Sequence, residues 1–163
     1  ATRVGAWRPL RGSEADSRTL PAEIDWLRTA VHLDKGCYCG QESVARIINL
    51  GRPPRRLVFL QLDGSVETLP DPGDPIEFDG KKVGVLTSAA RHWEMGPIAL
   101  GLVKRNLDPE VALQVHGVDA AQETIVPVEG RSDRSPKERP GVGLRRLDSH
   151  GRDIRTRGPG AGG

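Results

Sequence analysis

Aromatic side chains make up only 4% of this 163-residue chain, with three Trp, one Tyr and two Phe. Trp7, Trp26 and Trp93 lie too far apart in sequence to suggest a base-stacking platform, so no specific nucleic-acid binding is expected and their expected role is packing. Cysteine is scarcer still. Cys37 and Cys39 are the only two; a disulfide across one intervening residue would be strained, and two thiols cannot staple a secreted framework of this length. No apolar run is long enough to span a bilayer, and no basic stretch leads into an apolar one as a secretion signal does. These absences argue against membrane association and secretion and point to a reducing, cytoplasmic setting. A Walker loop, a G-x-S-x-G elbow and a dinucleotide fingerprint are also missing, since the Gly-rich run from Gly158 to Gly163 is terminal and follows no strand.

Hydrophobic residues total 36%, which is low for a fully packed globule of this size. The deficit is concentrated at one end. From Glu129 to Gly163 there are nine Lys/Arg, five Asp/Glu, eight Gly and three Pro, with only Val142, Leu144, Leu147 and Ile154 as large aliphatics. Such a composition predicts a disordered basic tail. The tail carries a net charge of +4, leaving −2 on the preceding 128 residues, so the sequence pI of about 8.8 says little about the folded part.

Residues 1–19 show no sustained period and read as a connecting strand or loop. Pro21 suits a first helical position, Glu23 and Asp25 suit the first turn, and Ile24, Leu27 and Val31 recur at helical spacing, predicting a helix from Pro21 to about Ala30. A second short helix is predicted over Gln41 to Leu50. There Val44, Ile47 and Ile48 share a face, Gly40 can serve as N-cap, Gly51 can end the helix in a left-handed conformation, and Pro53-Pro54 prevent continuation. The period then becomes strand-like. Strands are predicted over Leu57 to Leu62, Pro75 to Phe78, Lys82 to Ser88, Pro97 to Val103, Val111 to Val115 and Thr124 to Val128, with Asp79-Gly80 as a type I′ hairpin turn. The expected fold class is α+β, mainly β: two short helices, then a small antiparallel Greek-key-like β-barrel, then the disordered tail.

The segment Lys35-Gly36-Cys37-Tyr38-Cys39-Gly40-Gln41-Glu42, followed by Ser43-Val44-Ala45-Arg46, sets a thiol between a lysine and the start of the second helix. Unpaired N–H groups at that start, its partial positive charge and the Lys35 ammonium would favour a thiolate, which makes Cys37 the candidate reactive residue and Lys35 its companion. Gly36 and Gly40 are expected to shape the turn. Glu42 fits the first helical turn, and Arg46, four residues on, is placed to pair with it. Cys37 and Cys39 supply at most two metal ligands, and His32, His92, His116 and His150 fall at no ligand spacing, so no self-contained metal site is expected.

The octet, with its following Arg, resembles the K-G-C-Y-x-G-Q-E signature of the YgfZ-type folate-binding proteins, relatives of the glycine-cleavage aminomethyltransferase. The transferase's corresponding segment resembles K-G-D-F-x-G, so Cys37 aligns this chain with the YgfZ branch. Lys35, Gly36, Cys37, Tyr38, Gly40, Gln41, Glu42 and Arg46 match, and Cys39 falls at the variable position. The resemblance implies tetrahydrofolate in a central cavity, with Lys35, Tyr38, Gln41 and Arg46 as contacts. It also implies a role supporting iron–sulfur proteins or their assembly factors, tRNA methylthiolation through an iron–sulfur enzyme among them, without a classical turnover reaction. Cys37 would then be a transient, shared metal ligand. The alternatives are folate-dependent one-carbon transfer of the aminomethyltransferase type and a non-catalytic interaction barrel. On this reading residues 1–54 are the last part of a folate-binding domain, 55–128 the C-terminal barrel and 129–163 the tail. The whole is then a C-terminal fragment that binds folate weakly or not at all.

Overall fold

The computed structural model describes residues 1–32, 36–50, 53–65 and 67–129. Its centre is a closed antiparallel barrel built from β1 (Arg55–Leu62), β2 (Pro75–Phe78), β3 (Lys81–His92), β4 (Gly96–Lys104), β5 (Leu113–Val115) and β6 (Val118–Thr124). The strands run in the order β1-β4-β3-β2-β5-β6 and close on β1. Strands β2, β3 and β4 form a meander whose last member returns beside β1, a Greek-key arrangement. The Asp79-Gly80 turn has φ of 51° and 68°, the doubly left-handed geometry of a type I′ turn, and joins Phe78 directly to its partner Lys81.

The barrel has two apolar layers. Val58, Leu60 and Leu62 of β1 join Ile76, Leu86, Val103, Leu113 and Val115 in the interior. The intervening residues Leu57 and Phe59 face outward with Ile98, Leu100 and Leu102, where Val4, Ala15, Ile24 and Val126 cover them. With both faces of β1 buried, the run Leu57-Val58-Phe59-Leu60 is continuously apolar rather than alternating. Each such buried side chain contributes about 1.5–3 kcal/mol.

Three expectations need correction. The run from Pro21 to Ala30 is not one helix but a 3-10 turn, Pro21–Glu23, followed by α2, Trp26–Thr29, with Asp25 left-handed between them at φ 61°. The break has a packing cause. Ile24 belongs to the outer barrel layer, whereas Ala22 and Leu27 belong to a third cluster with Val44, and one straight helical face cannot serve both. The last strand is Val118–Thr124, not Thr124 to Val128. Ile125 and Val126 carry the apolar signal because they cover the outer layer, while β6 faces inward with the small Ala120. Finally, the first 19 residues hold a short helix, α1 (Thr2–Gly5), and are fastened to the barrel by hydrogen bonds from Arg3 and Glu14 to Thr87 and Ser88 of β3. The predicted helix at Gln41–Leu50 forms as α3. The tail beyond residue 129 lies outside the described residues.

Candidate functional site

The signature segment leads into α3 through a glycine turn. Gly40 adopts φ 83°, its carbonyl accepts from Val44 N at 3.2 Å, and Gln41 N donates to the Tyr38 carbonyl at 3.2 Å. Tyr38 is half-buried against Ala22, Leu27 and Val44, whereas its neighbours Cys37 and Cys39 are both exposed free thiols. The Tyr38 ring thus packs inward at the turn while the thiols on either side of it stay in solvent. A small hollow of about 200 Å³ adjoins the ring, lined by Ala30, Val31, His32 and Tyr38.

Of the sequence-predicted site residues, Cys37, Tyr38 and Gln41 occupy one turn, and Arg46 stands exposed on α3. Lys35 lies outside the described residues. Gly36 is exposed with open space around it, and Gly40 takes a left-handed conformation. Glu42 and Arg46 are both exposed and no ion pair joins them, so the expected brace is absent. No three His, Cys, Asp or Glu side chains cluster as metal ligands among the described residues.

Sequence reasoning missed the buried charges. Glu14 is 1% exposed and accepts from Arg3 Nη1 at 2.8 Å, Leu10 N at 2.8 Å and Thr87 Oγ1 at 3.0 Å, and also from the Ser88 hydroxyl. Glu23, also enclosed, takes a two-pronged contact from Arg55, Nε at 3.0 Å and Nη2 at 2.8 Å, and accepts from Leu20 N. This pairing holds the Arg55 guanidinium above its ordinary pKa, chiefly through the hydrogen bond to Glu23. The two carboxylates tie the N-terminal segment to β3 and β1. A single acidic residue in the aperiodic first 19 leaves no pattern in sequence, and Glu23 reads there only as a first-turn carboxylate of the predicted helix.

Between the 12–19 loop, the 72–73 turn and the outer faces of β1, β4 and β3 lies an open cleft of about 920 Å³. Arg3, Glu14, Asp16, Arg55, Lys82 and Lys104 supply its charges, over an apolar floor that includes Val85 and Leu102. None of the signature residues described in the structure lines it.

Comparison with known proteins places the barrel. Residues 55–132 match the glycine cleavage T-protein C-terminal barrel domain. A chloroplastic protein of Arabidopsis thaliana designated a transferase is 38% identical over 108 residues, covering 61% of this chain and 24% of that protein. The crystal structure of the glycine cleavage system aminomethyltransferase T from Bartonella henselae superposes with a TM-score of 0.58 at 22% identity, over 79% of this chain and 37% of the other. The chain thus spans about a quarter of the plant relative and just over a third of the bacterial one.

Proposed function

We propose that this chain, whose barrel is of the glycine cleavage T-protein type and whose fold is aminomethyltransferase-like, acts as the C-terminal part of a YgfZ-type folate-binding accessory protein that supports iron–sulfur proteins. The observation carrying this reading is the exposed Cys37 thiol, set at the turn into α3 by the inward-facing Tyr38. A buried cysteine there would be packing material; an exposed one is available for chemistry or metal handling. In this reading residues 1–54 close one side of a folate cavity, with Lys35, Tyr38, Gln41 and Arg46 near the ligand, and 129–163 form an accessory tail. The cytoplasm or a comparable reducing compartment suits the two free thiols.

The Asp of the transferase signature is replaced by Cys37, and this favours an accessory role over aminomethyl transfer. The test is complementation of a strain lacking the gene, with the activity of an iron–sulfur enzyme as readout. Wild-type protein should restore that activity and Cys37→Ser should not, at equal protein level. Restoration by Cys37→Ser, or glycine-cleavage activity in the purified full-length protein, would replace this reading with the transferase one.

A further inference from the structure

The cleft outside the barrel wall has an electrostatic deficit that the signature site does not explain. Arg55 on β1 is directly opposite Lys104 on β4, and both line the cleft. Like charges facing each other across a strand pair destabilise the sheet. Glu23 neutralises Arg55, but among the described residues no ion pair reaches Lys104 or Lys82, which sits one strand further along the same rim. Glu77 is the register partner of Lys82 and still forms no ion pair with it. The negative groups of the lining are already engaged. Asp16 accepts from Thr19 Oγ1 and Arg18 N, and Glu14 is taken up by Arg3, Thr87 and Ser88. Lys82 and Lys104 thus line the cleft without an ion-pair partner among the described residues, alongside the apolar Val85 and Leu102. The volume is that of a small-molecule pocket, and such pockets pair an apolar wall with a few convergent polar groups.

We infer that this cleft binds a small amphiphilic anion, its apolar body against Val85 and Leu102 and its carboxylate or phosphate held by Lys82 and Lys104. The site is separate from the Cys37 turn and stands or falls independently of the accessory function. The probe is 1-anilinonaphthalene-8-sulfonate, which carries both chemistries, followed by amide chemical shifts and fluorescence on the full chain. The expected result is shift changes concentrated in residues 12–19, 82–89 and 102–104. A Lys82→Ala, Lys104→Ala double variant should weaken binding about tenfold or more with a melting temperature no lower than that of the wild type, since both side chains are exposed and a cross-strand repulsion is removed. Displacement by benzoate but not by phenyl phosphate would identify a carboxylate ligand, and the reverse a phosphate. Shifts centred elsewhere, affinity untouched by the double variant, or no binding at millimolar probe would overturn the assignment.

Discussion

Arg3 Nη1 meets Glu14 Oε2 at 2.8 Å, an ion pair whose carboxylate is fully enclosed while 31% of the guanidinium side chain stays in water. The same Arg3 donates to Ser88 Oγ at 2.7 Å, so one cation and one carboxylate clasp β3 from the N-terminal segment. Replacing Glu14 by Ala strips acceptors from Arg3, Leu10 N, Thr87 and Ser88 together and should cost about 3 kcal/mol. Arg3→Ala should cost less, about 1–2 kcal/mol, because only part of that side chain is desolvated. In a double-mutant cycle by urea unfolding the two costs should fall short of adding, with a coupling of about 1 kcal/mol. Strict additivity would mean that the pair is incidental to the clasp.

Asp16 supplies a pH prediction on the same segment. Hydrogen bonds from Thr19 Oγ1 first, then from Arg18 N, hold its carboxyl below the ordinary value of 3.8. A depressed folded pKa means that the contribution to stability is present above the unfolded value and is lost as pH falls through the folded one. The 12–19 loop should therefore loosen only in acid, below about pH 4. Carbon-detected titration should show Asp16 ionising below 3.8 in the native chain and moving up in Thr19→Val. An unchanged midpoint in that variant would remove the hydroxyl as the cause.

The barrel was legible because its signals are local. Alternation, or a continuous apolar run, marked β1 to β5, and Asp79-Gly80 fixed a hairpin register to the residue. Strand β6 escaped because its interior contacts come from Ala120, not from a large aliphatic, while Ile125 and Val126 lend their apolar character to a loop. The helix predicted from Pro21 failed for a tertiary reason, since Ile24 and Leu27 serve different clusters. At the candidate site the turn into α3 was readable from Gly40 and the face of α3. The cleft was not readable, because its charges come from positions as distant as Arg3, Arg55 and Lys104, which only folding brings together.

Two glycines of the barrel should respond differently to a methyl group. A Cβ on Gly84 would lie 2.6 Å from the Leu102 carbonyl oxygen and 2.8 Å from Val103 Cγ1, so backbone must move. A Cβ on Gly101 would press chiefly on the flexible end of Ile76, Cδ1. Gly84→Ala should therefore cost about 2–3 kcal/mol, the upper part of the overpacking range, and Gly101→Ala about 1–2 kcal/mol, because a rotamer change at Ile76 relieves it. Thermal unfolding of the two variants gives the order. Equal losses would show that strand movement, not side-chain adjustment, absorbs both.

Arg56 is the least expected charge in the chain. It shares the inward phase of Val58, Leu60 and Leu62 on β1 and has no exposed surface. Among the described residues Nη2 alone is engaged, with the Leu107 carbonyl at 3.0 Å and Gln122 Oε1 at 3.2 Å, while Nε and Nη1 have no partner there. Burial without a carboxylate pushes its pKa below the ordinary arginine value. A buried, unpaired guanidinium carries a desolvation penalty that an apolar side chain of similar length avoids. Arg56→Met removes that penalty but leaves the Leu107 carbonyl without a donor, at about 1–3 kcal/mol. The two effects oppose each other, so the variant should lie within about 1 kcal/mol of wild type. Arg56→Ala, which adds a cavity at the end of the barrel, should lose about 2 kcal/mol or more. Chemical denaturation of both variants separates the contributions. If Arg56→Met falls as far as Arg56→Ala, the guanidinium stabilises the barrel through its hydrogen bonds, and the strand end depends on that charge.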